Sequence, residues 1–328
     1  MTWLSLRQHR VQIVAMLAIA VLLAIALVVA ADYAARVRAE LGVDTCVPLP
    51  NTNINCANLA SEWQKRVSPL SYLFYSLYVL PGLVASYVGG PLFAVEFERG
   101  THRLAWTQGV SRVRWAAVKL TVVLLVALVA ALVVAPFGGG QRVFLFNRVV
   151  SPFETFEIEG PALVSYFVFG LAAGAFVGAW SRRIITGMFV GLLVFGIVRV
   201  GVHNLRPMYQ EPATVPFPAP PSTPFNGSAG LPAPIPPDAW MLGTIAIDPD
   251  GRAVPAARVD ELLRQYFSQR PQFEDDSTFL LEHGVIRKWV YQPADRFWTF
   301  QAIEAAIFTG LAALFALLTL WRVRTRDA

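Results

Sequence analysis

Six long apolar stretches constrain this chain more strongly than any other feature of its sequence. A helix needs about 20 apolar residues to cross a hydrocarbon layer of ~30 Å, and each stretch is long enough to do so. The composition agrees, because 55% of the residues are hydrophobic and only 15% are charged. We therefore predict an all-α integral membrane protein with six transmembrane helices. The stretches cover residues 11–31, 70–95, 115–135, 161–180, 184–204 and 297–320.

The distribution of Lys and Arg predicts the orientation of these helices. Twelve such residues lie in the short segments that six spans place on one side of the membrane, namely residues 1–10, 96–119, 182–183 and 322–326. Six lie in the first two segments on the other side, where Asp and Glu balance them. Because positive residues stay on the cytosolic side, both termini are predicted to be cytosolic. Topology thus accounts for the net charge of +5, and nucleic-acid binding is not expected.

The first stretch follows basic residues, as the core of a signal peptide would. It is longer than the roughly 7–15 apolar residues of such a core. We therefore expect it to be retained as the first transmembrane helix.

The spans divide the chain into three regions. Residues 1–204 hold the first five helices and a charge-dense cytosolic segment at 96–114, residues 205–296 form a large external segment, and residues 297–328 hold the last helix with a cytosolic tail.

The external segment begins with a proline-rich run at 207–237. Proline fixes φ and lacks an N–H group, which excludes a regular helix or a central strand, so we expect extended backbone over the surface. Further along, TIAI at 244–247 is typical of a short strand, and residues 257–269 have the periodicity of an amphipathic helix. The apolar face of that helix carries Val259, Leu262, Leu263 and Tyr266.

The two cysteines of the chain, Cys46 and Cys56, lie close together in the first external segment. The outside of a plasma membrane permits disulfides, and closing so short a loop stabilises a protein by about 3 kcal/mol in the chain-entropy model. We predict a Cys46–Cys56 disulfide, with two free thiols as the alternative. A zinc site is not favoured, because two ligands are too few.

Glycines recur at helical spacing in two neighbouring spans. Gly170, Gly174 and Gly178 lie four residues apart in the fourth span, and Gly187 and Gly191 repeat the spacing in the fifth. Small residues let helices approach closely. Since a three-residue turn makes these spans antiparallel neighbours, packing within the chain is one explanation, and contact with a second copy is the other.

The second apolar stretch contains helix-breaking residues at 81–82 and 89–91. Proline and paired glycines in a long helix predict a kink or a break. Near the outer end of this stretch, Tyr72, Tyr75 and Tyr78 share a face. They either line an outward vestibule or form part of an interfacial aromatic belt.

Two charged residues lie inside predicted spans. Arg199 is about one turn inside the outer end of the fifth span, and Glu304 is about two turns inside the outer end of the sixth. An unpaired charge in hydrocarbon is costly. We hypothesise that Arg199 and Glu304 form a buried pair, with a polar cavity or snorkelling of Arg199 as the alternatives.

The chain has no nucleotide-hydrolysing motif. A phosphate-binding loop requires Gly-Lys followed by Ser or Thr, whereas the three lysines, Lys65, Lys119 and Lys288, follow Gln, Val and Arg. We therefore predict that the chain is not an enzyme and holds no catalytic, cofactor or metal site.

The segment at 87–120, YVGGPLFAVEFERGTHRLAWTQGVSRVRWAAVKL, resembles the permease subunit of type-2 ABC exporters, particularly the compact six-span permeases of actinobacteria. Two further segments are similar to sequences at the beginning of the first and last spans in that family. They are RQHR at 7–10, preceded by Trp3, and YQPADRFWTFQAIE at 291–304. The likeness therefore runs nearly end to end. The proline-rich run at 207–237 matches no motif of the family.

In such permeases the loop between the second and third spans carries a coupling helix that docks on a separate ATP-binding subunit. From the residues alone, Thr101 as an N-cap and Gly109 as a terminator predict a two-turn helix at 102–108, with an ordinary solvated loop as the alternative. The resemblance implies that this segment contacts the partner's ATPase. The matching positions are Glu98, Arg99, Gly100, Thr101, His102, Arg103 and Leu104.

The resemblance also implies an assembly and an activity. ATP and Mg²⁺ are bound by the partner subunit, and a second copy of the permease, or a similar permease, completes the membrane part. The complex exports a drug, an antibiotic, a peptide or a lipid-like molecule across a bacterial plasma membrane.

Two other functions compete with export. A non-transporting scaffold, or an immunity or signalling subunit partnered with an ATPase, shares every motif above and stays open. An intramembrane hydrolase is disfavoured, because His102 and the other histidines lie at or beyond the membrane edges and no GxSxG or HExxH string occurs.

Overall fold

A computed structural model describes residues 2–43, 54–101, 111–145, 150–217, 225–226, 231–232, 235–269 and 276–325. Six helices in these ranges are long and apolar enough to cross a membrane, which is consistent with the prediction of six spans. The helices are α1 (Thr2–Glu40), α2 (Ile54–Val84), α3 (Gly90–Arg99), α4 (Arg112–Val134), α5 (Gly160–Ser181), α6 (Ile184–Leu205) and α9 (Phe297–Thr325), with α2 and α3 together forming the second span.

The second span is broken where proline and glycine predicted a kink. A π-helical turn, Ala85–Gly89, separates α2 from α3. Pro91, in the first turn of α3, has no N–H to donate to the preceding turn. Single π-helical turns of this kind occur mostly at functional positions in helices.

Helix α5 occupies the centre of the bundle. Of the residues in its spanning stretch, 83% are buried, compared with 17% for α6. Helices α3, α4, α6 and α9 all pack against α5. The lipid-facing surface therefore lies on the peripheral helices, and Leu163, Tyr166 and Phe169 of α5 are among the largest fully buried side chains.

The two ends of the bundle differ in structure. We call the end where Arg182 joins α5 to α6 the turn end; this residue has φ of 57° and closes a tight left-handed turn. The opposite end is the sheet end, where two 3-10 helices, Ala135–Phe144 and Pro152–Ile158, connect α4 to α5.

Residues 205–296 contain a small sheet, so the all-α prediction is wrong for this segment. Strands β1 (Ala213–Phe217), β4 (Trp240–Ile247) and β5 (Ile286–Gln292) form an antiparallel sheet in the order β1-β5-β4, and β2 (Phe225–Asn226) pairs with β3 (Leu231–Pro232). Helices α7 (Ala256–Gln269) and α8 (Asp276–Glu282) pack beside the sheet.

The sequence predicted only part of this segment, because its pairings are non-local. The strand at 244–247 and the helix at 257–269 are present, within β4 and α7. Strand β1 lies in the proline-rich run and contains Pro216, but it is an edge strand, where a missing N–H is tolerated. Trp240 stacks on Phe153 with 4.9 Å between ring centroids, which fastens the sheet to the bundle.

Candidate functional site

At the turn end, the last turn of α3 is fastened to the beginning of α6. Helix α3 ends at Gly100, whose φ of 71° is left-handed. Glu98 Oε2 accepts a hydrogen bond from the backbone N–H of Ile184 at 2.8 Å. Because Ile184 begins α6, the carboxylate satisfies a free N–H at the positive end of that helix dipole. The loop after α3 therefore starts from a point that is held by two helices.

The structure describes four of the predicted coupling residues. Glu98 makes the contact above, Gly100 ends the helix, and Arg99 and Thr101 are exposed. His102, Arg103 and Leu104 lie outside the described residues, as does the predicted helix at 102–108. The chain is described again from Ser111, whose hydroxyl caps α4 by accepting a hydrogen bond from the backbone N–H of Arg114 at 3.3 Å.

A buried ion pair joins α3 to α4 close to this loop. Lys119 Nζ lies 2.5 Å from Glu96 Oε1, and the exposed fractions of the two side chains are 4% and 9%. The ammonium group also lies over the rings of Phe93 and Trp115, at 5.5 and 5.7 Å. Lys119, which the charge count placed in the segment 96–119, is therefore a buried residue. The one sequence signal for the pair was Glu96, an acidic residue in the same short segment.

The predicted glycine stripe of α5 lies against the broken second span. Each glycine faces a backbone carbonyl, in the pairs Gly170–Pro81, Gly174–Ala85 and Gly178–Gly90. A Cβ atom added to either Gly174 or Gly178 would lie 2.1 Å from the carbonyl oxygen that it faces. Backbone atoms at that distance cannot move aside as a flexible side chain can, so this approach requires glycine.

Two glycines of α6 also pack closely against the second span and α5. A Cβ atom on Gly187 would lie 2.8 Å from Gly90 O, and one on Gly191 would lie 3.0 Å from Gly174 Cα. Three chain segments thus meet with almost no side chain between them, directly beside the π-helical turn. We call this contact the glycine junction; it comprises Gly89, Gly90, Gly170, Gly174, Gly178, Gly187 and Gly191.

A cluster of charged and phenolic side chains lies at the sheet end. Arg206 forms two hydrogen bonds to Glu304, from Nε to Oε2 at 2.8 Å and from Nη2 to Oε1 at 2.9 Å. Both side chains are almost fully buried, with exposed fractions of 4% and 1%. Arg206 Nη2 also reaches Glu157 Oε1 at 3.0 Å. A bidentate pair of this kind is among the strongest charge-assisted contacts in proteins.

Glu157 links this pair to the fifth span. Arg199 Nη2 donates to Glu157 Oε2 at 2.8 Å, and His203 Nδ1 lies 2.5 Å from Glu157 Oε1. The Arg199 guanidinium lies 4.3 Å from the centroid of the Tyr166 ring, and the Tyr166 hydroxyl donates to Glu304. Sequence reasoning missed Glu157, because it lies in a connecting segment rather than in a predicted span.

Tyr209 is the member of the cluster that follows α6 and precedes the sheet. Its hydroxyl donates to Glu304 Oε2 at 3.2 Å. Burial and the nearby Glu304 carboxylate raise the pKa of the Tyr209 hydroxyl, so the group stays protonated and continues to donate. The sheet-end cluster therefore consists of Glu157, Tyr166, Arg199, His203, Arg206, Tyr209 and Glu304.

The hypothesis of a direct Arg199–Glu304 pair needs correction. Arg199 forms its ion pair with Glu157, and Glu304 forms its own with Arg206. The two residues do approach the same side chain, Tyr166, from its face and from its hydroxyl. Similar depth in the fifth and sixth spans placed both residues near Tyr166 of α5, but it could not identify partners that lie in a connecting 3-10 helix and just beyond α6.

Only one of the two cysteines in the predicted disulfide lies among the described residues. Cys56 is buried near the beginning of α2. Cys46 lies outside the described residues, so the Cys46–Cys56 bridge stays a prediction.

Contacts at three levels hold the described helices together. Polar contacts tie neighbouring helices together at both ends of the bundle, and the middle depends on backbone contacts that only glycine allows. Among the described residues, no group of three or more His, Cys, Asp and Glu side chains could hold a metal ion. Helix α3 contacts α4 through the Glu96–Lys119 pair and packs against both α5 and α6.

This architecture defines a multi-pass helical membrane protein built around a broken second span. A family model described as ABC-2 membrane transporter related matches residues 16–206, and the chain belongs to that family. The family typically comprises non-catalytic permease subunits, and it implies an ATPase partner in general. No curated protein and no solved structure matches the chain.

Proposed function

We propose that this chain is the permease subunit of an ATP-driven exporter of the compact six-span type found in actinobacteria, located in a bacterial plasma membrane. A separate subunit binds ATP and Mg²⁺ and hydrolyses the nucleotide. The observation that carries the proposal is the family match, because it covers both spans that flank the predicted coupling segment at 98–104.

The contacts at the turn end support this role. Movement of a partner against the loop after Gly100 would act on α6 through Glu98 and on α4 through the Glu96–Lys119 pair. Helix α3 itself continues into the glycine junction and the π-helical turn. A rigid lever that ends at a local break in a helix offers a structural basis for converting ATP-driven movement into rearrangement of the spans.

The orientation follows from the positive charges. The turn end carries Arg99, Arg112, Arg114, Arg182 and Arg183. Positive residues favour the cytosolic side, so we place the turn end in the cytosol and the sheet outside. The predicted coupling segment then faces the compartment that contains ATP.

The assembly that we propose has two permease copies and two ATP-binding subunits. A heterodimer with a similar permease is the alternative arrangement. Differently tagged copies of this chain distinguish the two, because only a homodimer allows one tag to retain the other during purification.

Co-expression with an ATPase from a neighbouring reading frame tests the proposal. We expect the two proteins to purify together and the complex to hydrolyse ATP faster with a transported compound. Replacing Arg103 and Leu104 with Ala should weaken retention of the ATPase or abolish transport, without reducing membrane insertion. Arg258→Ala, on an exposed position of α7, is the control. Unchanged retention and transport in the double variant would exclude the segment from coupling.

A further inference from the structure

A small polar cavity lies at the sheet end, between residues 64–75 in the middle of α2 and residues 141–145. Its volume is about 170 Å³, which exceeds the space that a single water molecule needs. Polar side chains on one face of α2 form one wall, and apolar side chains, including Val67 and Phe144, form part of the remainder. None of the described side chains that line it is charged.

Gln141, which lines the cavity, has a buried side-chain oxygen without a hydrogen-bond donor among the described residues. The residue is only 6% exposed, and its Oε1 atom has no hydrogen-bond partner in the part of the chain that the structure describes. A buried carbonyl without a donor is unfavourable, and native structures seldom leave one so. Three residues earlier the backbone packs closely against another segment, because a Cβ atom on Gly138 would lie 1.8 Å from Ile158 O. Gln141 lines the cavity, so an occupant with a hydrogen-bond donor would satisfy its Oε1 atom.

The α2 wall offers matching groups. Gln64, Ser68, Ser71 and Tyr75 recur at intervals of three or four residues, which places them on one helical face. The Ser71 hydroxyl donates to Ser68 O at 2.7 Å, so its oxygen still has lone pairs for a further donor. Tyr75 belongs to the tyrosine row noted in the sequence, and the residue is 49% exposed. It is the member of that row that lines the cavity.

We propose that this cavity binds an uncharged group with hydrogen-bond donors, a hydroxyl or a primary amide, carried by an amphipathic molecule. A neutral group fits because a charge would lose its hydration without gaining a counter-ion from the lining. An amphipathic carrier fits because the cavity combines polar and apolar walls at the end of a membrane span. The proposal deepens the proposed function, on which it rests, by naming the chemistry of the substrate or lipid that is recognised.

Photolabelling of the full chain tests the site. The chain is placed in phosphatidylcholine nanodiscs and exposed to a photoreactive diacylglycerol with a free hydroxyl, or to the O-methyl ether of the same lipid. A photoreactive alkyl glucoside and its fully O-methylated form, both added from water, make up the second arm. In at least one arm, we expect the hydroxyl form to label peptides containing residues 64–75 and 141–145 about five-fold more than its ether, the factor for one hydrogen bond. Preference in the lipid arm identifies a lipid head group, and preference in the glucoside arm identifies a soluble amphiphile.

Variants separate recognition from general labelling. Gln141→Leu should abolish the preference for the hydroxyl form, and Ser68→Ala should reduce it if the leucine variant folds poorly. Ser76→Ala is the matched control, because Ser76 donates to Leu73 O at 2.6 Å on the same helix and does not line the cavity. Equal labelling by both forms in both arms would show a cavity filled only by water, and a preference that survives both substitutions would also overturn the proposal. The test needs no ATPase, so its failure is distinct from a failure of the proposed function.

Discussion

At the sheet end, buried charges are neutralised in groups, whereas Glu96 and Lys119 at the turn end form a separate buried pair. Glu157 accepts from two arginines, and Glu304 accepts from one arginine and two tyrosines. Removing water from a charge is expensive, and additional hydrogen bonds are what make burial tolerable. Each of these residues therefore depends on its neighbours more than on its own position in a span.

A double-mutant cycle tests which residues are partners. Arg206→Met and Glu304→Leu should each lower the free energy of unfolding by about 3–5 kcal/mol, because each strands a buried charge. The double variant should lose less than the sum of the two. Denaturant unfolding in detergent measures all three.

The matched cycle replaces Arg199 and Glu304. Its coupling energy should be smaller, since these two residues approach Tyr166 but bind different carboxylate and guanidinium partners. A larger coupling for Arg199 than for Arg206 would contradict the described pairing.

Among the helices, the glycine junction decides how closely the spans can pack. The carbonyl of Ala85, at the beginning of the π-helical turn, faces Gly174 of α5, which leaves room for it. A side chain at residue 174 would exclude this carbonyl, and Pro81 and Gly90 on either side of the turn approach the next glycines of α5 in the same way. The break in the second span and the stripe on α5 thus form one structural unit.

Gly174→Ala should destabilise the bundle, by about 1–3 kcal/mol for an overpacked core. The added methyl group would lie 2.1 Å from Ala85 O. Gly310→Ala in α9 is the control, because a Cβ atom added there would have no described neighbour within 4 Å and alanine favours a helix. Thermal denaturation in detergent should show a lower Tm for the first variant only. Equal Tm values would show that the junction is looser than described.

A second prediction about helix contacts concerns the Glu96–Lys119 pair. Lys119→Met leaves a buried carboxylate, so α3 and α4 should separate more easily and the free energy of unfolding should fall by about 3–5 kcal/mol. Adding Glu96→Gln to this variant should restore part of the loss. Arg114→Met, at an exposed position of α4, is the control. A loss that the second substitution does not relieve would mean that packing, and not charge, causes the effect.

For the whole molecule, the proposed mechanism requires that the turn end and the glycine junction move together. Glu98 is the contact that connects the loop after α3 to a second span. It is exposed, so its removal should affect transmission more than folding.

Glu98→Ala should therefore lower transport by about two- to ten-fold, in line with a helix-cap contact of about 0.5–1.5 kcal/mol. Basal ATP hydrolysis by the partner should persist, because that subunit holds the nucleotide. Glu98→Gln should recover part of the transport, since its amide oxygen also accepts a hydrogen bond. Glu261→Ala, at an exposed position of α7, is the control. Normal transport by Glu98→Ala would remove this contact from the mechanism.

Local patterns in the chain were enough to predict the number of spans, their approximate positions and the break in the second one. Bilayer thickness acts on each apolar stretch separately, and proline and glycine act on the backbone where they occur. The helix at 257–269 was predictable for the same local reason. No distant residue had to be known.

Which residues meet, by contrast, was settled only by the packing of the folded chain. Arg206 and Glu304 are 98 residues apart in the chain, and Lys119 and Glu96 are 23 apart, on different helices. The three-stranded sheet, the carbonyl that faces Gly174 and the cavity around Gln141 likewise depend on distances between separate elements. Periodicity assigns a residue to a face of its own helix, whereas its partner is set by the packing of all the helices together.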